Sequence, residues 1–323
     1  MAPDRYAEAM KVVRGRQRIA AELGRPLRAP TVAIGNFDGV HRGHQALVTA
    51  AASLARASGG EAVVLTFDPH PAHFFAPHLA PPMIMPLERR LELLAQFGAE
   101  VVVIESFDAA FAAIEADPFV EEVLARDLAA RHVVVGYDFS FGHGRHGTPS
   151  MLTALGGRLG MGVTVVPAVT VEGLVCSSTK IREFVLEGRV DGARILLGRP
   201  FEVTGEVVRG AGRGRGLGIP TANVRPEGEL LPRTGIYAGR ARTLDGAVER
   251  MAAISVGTNP TFVPGAREIT VEAHLLDFDG ELYGKRLRLE LLARLREERR
   301  FASTDELLAQ IQKDIARTRE ICT

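Results

Sequence analysis

The sequence predicts an α/β domain with a parallel sheet, followed by an antiparallel β-barrel domain that ends in a helix. Up to about residue 187, short apolar runs (TVAIG, AVVLTF, VVVIE, HVVVG and VTVVP) alternate with helical stretches such as PLERRLELLAQFG. After residue 198, strand-like runs follow one another with turns between them and little helix. This change of rhythm predicts one domain over residues 1–187 and a second over 188–323.

The first domain is expected to hold its strands in parallel. Its apolar runs are short, rich in β-branched residues and apolar on both faces. Such strands, separated by helices, form parallel sheets that are covered on both sides, and ligands bind at the carboxyl ends of the strands. The stretch GNFDGVHRGH, residues 35–44, follows the first of these runs and is therefore expected at that edge.

The second domain is expected to be a barrel. In ITVEAHL, residues 269–275, apolar and polar side chains alternate, so that Val271 and Glu272 face opposite sides. Antiparallel strands of this kind close, or nearly close, into a barrel. Residues 179–198 are expected to connect the two halves as helix, and residues 304–320 to form a final amphipathic helix.

Composition narrows the possible partners. Lys plus Arg and Asp plus Glu both total 39 in 323 residues, so the net charge is zero and the basic footprint of a nucleic-acid binder is missing. Cys176 and Cys322 stand in no metal or redox spacing, which fits a reducing compartment. Neither a signal-peptide core nor a bilayer-length apolar run is visible. We expect a cytoplasmic protein, a monomer or weak homo-oligomer, without nucleic-acid or membrane partners.

Basic side chains stand at two predicted helix starts, where they are unfavourable. His41, Arg42 and His44 open one helix, and Lys180 and Arg182 lie in the first turn after the SST of CSSTKIRE. The helix dipole already places positive charge there, and each added cation costs about 0.3–1 kcal/mol. A bound polyphosphate would reverse that sign. We therefore expect one anionic ligand between the two helix starts.

Other interpretations of these residues stay open. His41, His44, His70 and His73 could form a zinc site, although Pro71 favours extended backbone at His70. The SST segment could supply a plain N-cap, and the histidines could be purely structural. The stretch GHGRHG matches the GxGxxG pattern of dehydrogenases, but it follows four strands and lacks the required tight turn.

Four motifs, GNFDGVHRGH, TFDPHP, VVGYDFSFG and SSTKIRE, occur in that order and resemble the flavin adenylyltransferase domain of bacterial bifunctional riboflavin kinase/FAD synthetases. The resemblance implies a Rossmann-like nucleotidyltransferase domain of the HxGH type. It assigns His41 and His44 to transition-state charge, and His70 and Asp138 to the flavin pocket. The residues that it assigns to ATP and its phosphates are Gly35, Asn36, Phe37, Asp38, Ser177, Ser178, Thr179, Lys180 and Arg182; Asn36, Asp38, His70 and Asp138 are also assigned to pocket and Mg²⁺ geometry.

The chemistry of adenylyl transfer suits such residues. The FMN phosphate attacks the α-phosphorus of ATP and pyrophosphate leaves, so positioning and electrostatic stabilisation carry catalysis. Three positions depart from the family pattern: Val175 replaces an arginine of some members, Lys180 a frequent arginine, and His143 a common lysine. We expect these departures to affect the efficiency of triphosphate binding rather than the identity of the domain.

A glycine-rich stretch, RGAGRGRGLGIPTAN, opens the second domain's own candidate site. Gly212, Gly214 and Gly216 could present successive N–H groups as an anion-binding nest, although no GxxxxGK[ST] motif exists in the chain. Thr221 and Asn223 supply the oxygen donors that Mg²⁺ prefers. A flexible hairpin loop and an RGG-like nucleic-acid segment are the alternatives.

GIPTAN, SVGTNPTF and VEAHLLDFDGELYGKR resemble the riboflavin kinase domain of the same family. The resemblance implies that Thr221 and Asn223 handle Mg-ATP, that Glu272 is the base, and that Asn259 and Phe262 lie near the flavin. A strand glutamate is more often merely solvated. Within this motif, Glu272 becomes a candidate to accept the proton of the riboflavin 5′-hydroxyl while the γ-phosphoryl group transfers.

The expected function is therefore twofold and depends on ATP and Mg²⁺. The C-terminal domain makes FMN from riboflavin, and the N-terminal domain makes FAD from FMN. A nucleotidyltransferase for another phosphorylated substrate is a rival, against which the PTAN half argues. A flavin-binding or RNA-binding module without catalysis is another, and zero net charge disfavours RNA. The basic run from Lys285 to Arg300 contains interspersed glutamates and is interpreted as mostly solvated surface.

Overall fold

A computed structural model describes residues 10–210, 218–228, 230–260 and 267–323; the side chains of residues 259, 260, 267 and 268 are not described. The chain divides into two compact units. The first unit comprises the residues up to Pro81 together with Leu87–Cys176. The second comprises Pro82–Pro86 and the residues from Ser177 onward. The predicted boundary between residues 187 and 188 stays a prediction.

The first unit contains a parallel sheet, which in the described part of the chain has the strand order β1-β4-β3-β2-β5-β6. The strands are β1 Lys11–Arg14, β2 Thr31–Ile34, β3 Ala62–Phe67, β4 Val101–Glu105, β5 His132–Gly136 and β6 Gly162–Val166. Five of them coincide with the predicted apolar runs. The edge strand β1 was not expected, because KVVR is short and carries a charge at each end.

Helices cover both faces of this sheet. They are α1 Ile19–Leu23, α2 Arg42–Ser58, α3 Pro71–Phe75, α4 Leu87–Gln96, α5 Ala109–Ala112, α6 Ala116–Pro118, a π-helix Phe119–Asp127 and α7 Pro149–Arg158. Alternate strand residues pack into two cores: Val32 and Ile34 pack with the π-helix, whereas Ala33 packs with α2 and α4. A sheet that is buried on both faces explains why its strands lack polar alternation. A short hairpin follows, with β7 Thr170–Val171 and β8 Leu174–Val175.

The second unit contains a closed antiparallel barrel with the strand order β10-β13-β12-β11-β14-β9 among the described residues. The strands are β9 Phe201–Val208, β10 Ala222–Pro226, β11 Gly235–Thr243, β12 Glu249–Pro260, β13 Arg267–Leu275 and β14 Arg286–Arg296. Val271, Ala273 and Leu275 are buried, as the alternation in ITVEAHL predicts. The predicted fold class, a parallel α/β domain followed by an antiparallel barrel with a C-terminal helix, is confirmed.

Among its described residues, the second unit also contains three helices: α8 Ser178–Leu186, α9 Val190–Leu197 and α10 Thr304–Cys322. The connecting helix is broken at Gly188, whose φ of 79° is left-handed. α10 packs on the barrel, where Asp314 accepts from Arg296 at 2.8 Å. No helix within the described ranges is both long and apolar enough to cross a bilayer.

One sequence interpretation is wrong for two residues of β14. Arg288, expected at a solvated surface, has an exposed fraction of only 4%. Arg296 lies against the buried Asp314 carboxylate of α10. For Arg296 the reason is its ion pair with Asp314 of α10, a contact between residues 18 positions apart that the charge pattern does not indicate.

Candidate active sites

The loop between β2 and α2 has an unusual backbone. Phe37 and Val40 adopt positive φ values of 52° and 38°, and Gly39 adopts 84°. Positive φ is rare for any residue except glycine and costs most for β-branched residues such as valine. Phe37, Asp38 and Val40 are nevertheless buried, with exposed fractions of at most 1%. The loop Gly35–Val40 is therefore a fixed element of the first unit, held by its packing.

His41 and His44 stand at the start of α2, but the two have different positions there. His41 is the N-cap, and its Nδ1 accepts from the backbone N–H of His44 at 3.3 Å. An accepting Nδ1 carries no proton, so the neutral ring bears its hydrogen on Nε2. The two rings stack with centroids 3.7 Å apart, and Phe37 packs against His44 at 5.2 Å. Because His41 caps the helix with a neutral ring, the unfavourable positive charge at this helix start is smaller than the sequence predicts.

Other predicted residues follow the neighbouring strands and so share this edge of the sheet. His70 follows β3, caps α3 and accepts from the backbone N–H of Ala72 at 3.1 Å. Its backbone is extended, as Pro71 predicts. Asp138 lies in the turn after β5 and is exposed. The carboxyl ends of β2, β3 and β5 thus bring the three motifs of the first unit to one edge.

Sequence reasoning missed an aromatic group at the same edge. Phe107 follows β4 and lies 5.6 Å from Phe67, 5.7 Å from Phe74 and 5.6 Å from Phe75, measured between ring centroids. Phe75 is 66% exposed. The available signal was the clustering of phenylalanines after β3 and β4, in TFDPHPAHFF and ESFDAAF. These four rings, here called the aromatic group, are partly open to a planar ligand.

Sequence reasoning also missed Arg90, because a helix arginine is usually taken for a surface residue. Arg90 has an exposed fraction of 2%, and its Nη1 donates to the carbonyl oxygen of Asn36 at 2.8 Å. Burial lowers its pKa, against the opposing influence of Asp38 and Asp68. A buried cation therefore supports the loop after β2.

The second predicted helix start belongs to the second unit. Ser177 caps α8 by accepting from the N–H of Lys180 at 3.2 Å. The Lys180 ammonium contacts Glu183 at 2.7 Å, and the Arg182 guanidinium donates from Nε to the carbonyl of Pro82 at 2.9 Å. Ser178 is half-buried and Thr179 is exposed. The plain N-cap is thus present, and both cations have protein partners; phosphate binding here stays a prediction.

The GHGRHG stretch does not form a dinucleotide-binding turn. Phe141 and Gly147 pair in an isolated antiparallel bridge, and α7 begins only at Pro149. His143, one of the three departures, lies 3.5 Å from Glu115, and Val175 is 43% exposed on β8. The Phe141–Gly147 bridge and the helix start at Pro149 differ from the tight strand-to-helix turn that a GxGxxG fingerprint requires.

In the barrel, Thr221, Asn223 and Glu272 come together. The Thr221 hydroxyl donates to Glu272 Oε2 at 3.0 Å. Asn223 on β10 is the direct cross-strand neighbour of Glu272 on β13, so their side chains share the outer face. A Cβ atom at Gly210 would lie only 2.2 Å from Asn223 Nδ2. Gly210 therefore leaves the space that the Asn223 amide occupies.

A second carboxylate lies near this group. Glu298 accepts from the backbone N–H of Thr258, and a Cβ atom at Gly257 would lie 2.4 Å from its Oε1. Burial, with a contribution from the Glu272 charge, raises the pKa of Glu298. Sequence reasoning counted this residue among the solvated glutamates. Its place beside β12 could not be read from spacing alone.

Several predicted residues lie outside the described structure: Gly212, Gly214, Gly216 and Phe262. Asn259 lies in β12, opposite residue 268, but its side chain is not described. Within the described parts of the chain, no three His, Cys, Asp or Glu side chains gather as a metal site. The four-histidine zinc interpretation thus gains no support there. Cys176 and Cys322 are both buried and unbonded.

The two folds agree with the expectation of a two-domain transferase of phosphorus-containing groups, and the comparisons with known proteins show that class. Residues 25–180 match the family model for FAD synthetase, and residues 197–322 match the model for riboflavin kinase. The chain belongs to the family of bifunctional riboflavin kinase/FMN adenylyltransferases, with the FAD synthetase domain N-terminal and the riboflavin kinase domain C-terminal. The predicted family and both predicted activities are confirmed.

The relatives cover nearly the whole chain. The bifunctional riboflavin kinase/FMN adenylyltransferase of Escherichia coli (strain K12) is 37% identical over 311 residues, which are 96% of this chain and 97% of the relative. That of Bacillus subtilis (strain 168) is 36% identical over 287 residues, 88% of this chain and 89% of the relative. A crystal structure from Streptococcus pneumoniae, described as a macrolide-efflux protein, gives a TM-score of 0.84 at 31% identity, covering 96% of this chain and 99% of that one.

Proposed function

We propose that His41, His44 and the loop Gly35–Asp38 bind ATP in the N-terminal domain. The phosphate of FMN attacks the α-phosphorus, a new P–O bond forms, and the bond to pyrophosphate breaks. In this proposal, His41, which accepts at Nδ1, donates from Nε2–H to a phosphate oxygen. The backbone N–H of His44 fixes the orientation of the His41 ring, and the His44 ring stacks against it at 3.7 Å between centroids. This pre-organisation is the main support for the assignment.

The flavin ring of FMN needs a different surface from the polar groups that are proposed to bind ATP. We assign it to the aromatic group Phe67, Phe74, Phe75 and Phe107, with His70 and Asp138 at the same edge. Offset or edge-to-face contacts between rings stabilise such complexes beyond the area that they bury. The second helix start, Ser177, Ser178, Thr179, Lys180 and Arg182, is the proposed contact for the triphosphate. Lys180, whose ammonium has three N–H donors, would contact a phosphate oxygen with a donor that Glu183 does not use.

In the barrel, we propose that Glu272 removes the proton from the riboflavin 5′-hydroxyl. The hydroxyl oxygen then bonds to the γ-phosphorus, the bond to the β–γ bridging oxygen breaks, and ADP leaves. The hydrogen bond from Thr221 to Glu272 supports this proposal most directly, because it orients the carboxylate. Asn223 lies beside it by strand register. Gly212, Gly214 and Gly216 are the proposed phosphate nest, and Asn259 and Phe262 the proposed flavin contacts.

The donor set at this site fits Mg²⁺. Thr221 and Asn223 offer a hydroxyl and an amide oxygen, which are hard, neutral ligands of the kind that Mg²⁺ accepts beside phosphate. Mg²⁺, if bound there with ATP, would neutralise negative charge on the phosphates. Thr221 and Asn223 would hold it, and Glu272 would stay available as the base.

We also propose the location, oligomeric state and partners of the enzyme. A cytoplasmic location is supported by the two free, buried thiols, which suit a reducing compartment. We further propose a monomer or weak homo-oligomer. The absence of nucleic-acid partners, also proposed, is supported by a net charge of zero.

One experiment tests the two assignments together. The purified chain is incubated with riboflavin, ATP and MgCl₂, and the flavins are separated by chromatography at successive times. FMN should form first and FAD afterwards, with pyrophosphate released in step with FAD. With FMN as the starting flavin, FAD should form without delay. FMN accumulation without FAD would remove the adenylyl-transfer assignment, and conversion of supplied FMN alone would remove the kinase assignment.

A further inference from the structure

Arg90 is a buried cation that the sequence motifs do not include. It lies in α4, on the apolar stripe of that helix, between Leu87 and Leu94. Its exposed fraction is 2%, which is rare for arginine unless the charge is paired. No step assigned to the histidines or to the second helix start explains why a charge is buried here.

The contacts of Arg90 lead to the loop after β2. Its Nη1 donates to the carbonyl oxygen of Asn36 at 2.8 Å. The hydroxyl of Thr66, on β3, donates to the same oxygen at 3.3 Å. Thr66 has an exposed fraction of 0%, so both donors act in a water-poor environment, where such bonds are strong. One carbonyl at the start of the loop is thus held from two sides.

The loop needs such support. Phe37 and Val40 both have positive φ values, and a strained backbone persists only where its surroundings over-determine it. The next residue after Val40 is His41, whose ring must face the N–H of His44. A change of direction at Asn36 would therefore alter the geometry of the histidines that follow.

Charge gives Arg90 a second connection to the loop. The Asp38 side chain has an exposed fraction of 1%, and its charge acts favourably on Arg90, as does that of Asp68. A buried carboxylate needs a compensating cation. A free carboxylate charge at this place would also repel the phosphates of ATP. Arg90 is placed to offset that charge.

We infer that Arg90 is a positioning residue for FAD formation: it holds the Asn36 carbonyl and balances Asp38, so that the loop Gly35–Val40 and His41 stay ready for the nucleotide. This inference rests on the proposed assignment of the loop and the histidines to ATP. It assigns Arg90 no contact with substrate. It also explains why an arginine lies on an apolar helix stripe.

The test uses the two activities of one chain. Arg90→Lys keeps the charge but loses the planar fork, and it should lower kcat for FAD formation about 10–100-fold, the effect of losing a hydrogen bond from a charged donor. Thr66→Val removes the second donor and should lower kcat about 3–10-fold. Because both act on one carbonyl, the double variant should show less than the product of the two effects. FMN formation from riboflavin should stay unchanged in all three.

Two controls accompany these variants. Arg89→Lys changes the adjacent buried arginine, which pairs with Glu92 at 2.7 Å, and should leave FAD formation unchanged. His44→Ala tests the underlying site assignment. If His44→Ala leaves FAD formation intact, the proposed site itself is wrong. If His44→Ala abolishes FAD formation while Arg90→Lys does not affect it, only the inference about Arg90 is wrong.

Two further outcomes would overturn the positioning role of Arg90, and one would support it. A raised KM for ATP at unchanged kcat in Arg90→Lys, together with independence from Thr66→Val, would make Arg90 a direct ligand and overturn the positioning role. Equal losses of FMN and FAD formation would show support of the whole fold and would overturn it too. A selective fall in kcat with coupling to Thr66 supports it.

Discussion

The two sites handle the same kind of nucleotide with different chemistry. The proposed N-terminal site consists of a fixed loop, a pair of stacked histidines and cations at helix starts. The proposed barrel site has a carboxylate, Glu272, held by the Thr221 hydroxyl on the outer face of two paired strands. Both rest on buried apolar cores, so neither the nucleotide nor the rigidity of the support explains the difference.

The nucleophile of each reaction explains the difference between the two proposed sites. FMN attacks with a phosphate that is already ionised, so the first site needs no base and can consist of groups that stabilise negative charge. Riboflavin attacks with an alcohol, which must lose a proton, so the second site needs a carboxylate. The protonation state of the incoming group thus decides which side chain stands at the reacting centre.

The largest expected effect comes from removing the proposed base, Glu272. Glu272→Gln keeps the shape of the side chain and should lower kcat for FMN formation about 10²–10⁴-fold, because general-base catalysis contributes that much. FAD formation from supplied FMN should continue at the normal rate. Steady-state kinetics with each flavin separately measures both. Unimpaired kinase turnover would take Glu272 out of the mechanism and remove the contrast between the sites.

His44→Ala should give the opposite pattern. FAD formation should fall about 10²–10³-fold, the usual effect of losing one stabilising donor of transition-state charge. FMN formation from riboflavin should be retained, which makes it the internal control for folding. If FMN and FAD formation fell together, the assignment of the two reactions to separate sites would be contradicted.

A smaller effect should follow from crowding the barrel site. Gly210→Ala places a Cβ atom within 2.2 Å of Asn223 Nδ2, so the amide must move away from its place beside Glu272. Displacement of a positioning group by about 1 Å costs on the order of 10–100-fold in rate. We expect such a loss in kcat/KM for FMN formation, measured at varied Mg-ATP.

Gly157→Ala is the matched control for that variant. Gly157 lies in α7, and no atom lies within 4 Å of the added Cβ. Both activities should stay unchanged, and stability should rise slightly, since alanine lowers the entropy of the unfolded chain. An equal loss in both glycine variants would point to a general effect of glycine replacement rather than to Asn223.

The smallest effects concern stability, and they should have opposite signs in the two units. Glu61, in the first unit, accepts from the Arg28 N–H at 2.7 Å and pairs with Arg25. Burial alone would raise its pKa, but these partners outweigh it and lower the pKa. Its contribution is present above the unfolded-state pKa of about 4.3 and is lost as the pH falls through the lower folded-state value. Glu61→Gln should destabilise by about 1–3 kcal/mol at pH 7, and less at pH 3.5.

The contribution of Glu290, on the barrel wall, to stability should depend on pH with the opposite sign. Burial and the facing Glu202 raise its pKa, which Arg242 and Arg240 offset only in part. A raised value means that its contribution is full below about pH 4.3 and is lost as the pH rises through the folded-state pKa. Glu290→Gln should therefore raise the melting temperature slightly at pH 7 and not at pH 3.5. Calorimetry of Glu61→Gln and Glu290→Gln between pH 3.5 and pH 7 checks both predictions. If the effect of each substitution on the melting temperature changed with pH in the same way, the predictions would be contradicted.

Much of the fold could be predicted because its signals are local. The five apolar runs predict strands by length and branching, and ITVEAHL predicts its two faces by alternation. Two of the strands that the sequence does not predict carry weak local signals: KVVR has charges at both ends, and ANVRP in β10 ends in proline. Their pairing with β4 and with β9 and β13 depends on contacts that are distant in sequence.

The candidate sites could be predicted only as far as motifs extend. His41, His44, Thr221, Asn223 and Glu272 stand in recognisable patterns. The aromatic group and Glu298 depend on which loops meet, which no spacing reveals. For Arg90 a signal did exist: it stands three residues after Leu87 and four before Leu94, on the apolar stripe of its helix, where a charge requires a buried partner.

The alternation along β13 has a consequence for how this enzyme can change over time. Val271 and Glu272 occupy opposite sides of one strand, so inserting or deleting a single codon within it would turn Glu272 into the barrel and Val271 out to solvent. One such event would disrupt the hydrophobic interior and remove the proposed base together. Viable length changes are therefore confined to the turns at the strand's ends or to pairs of codons.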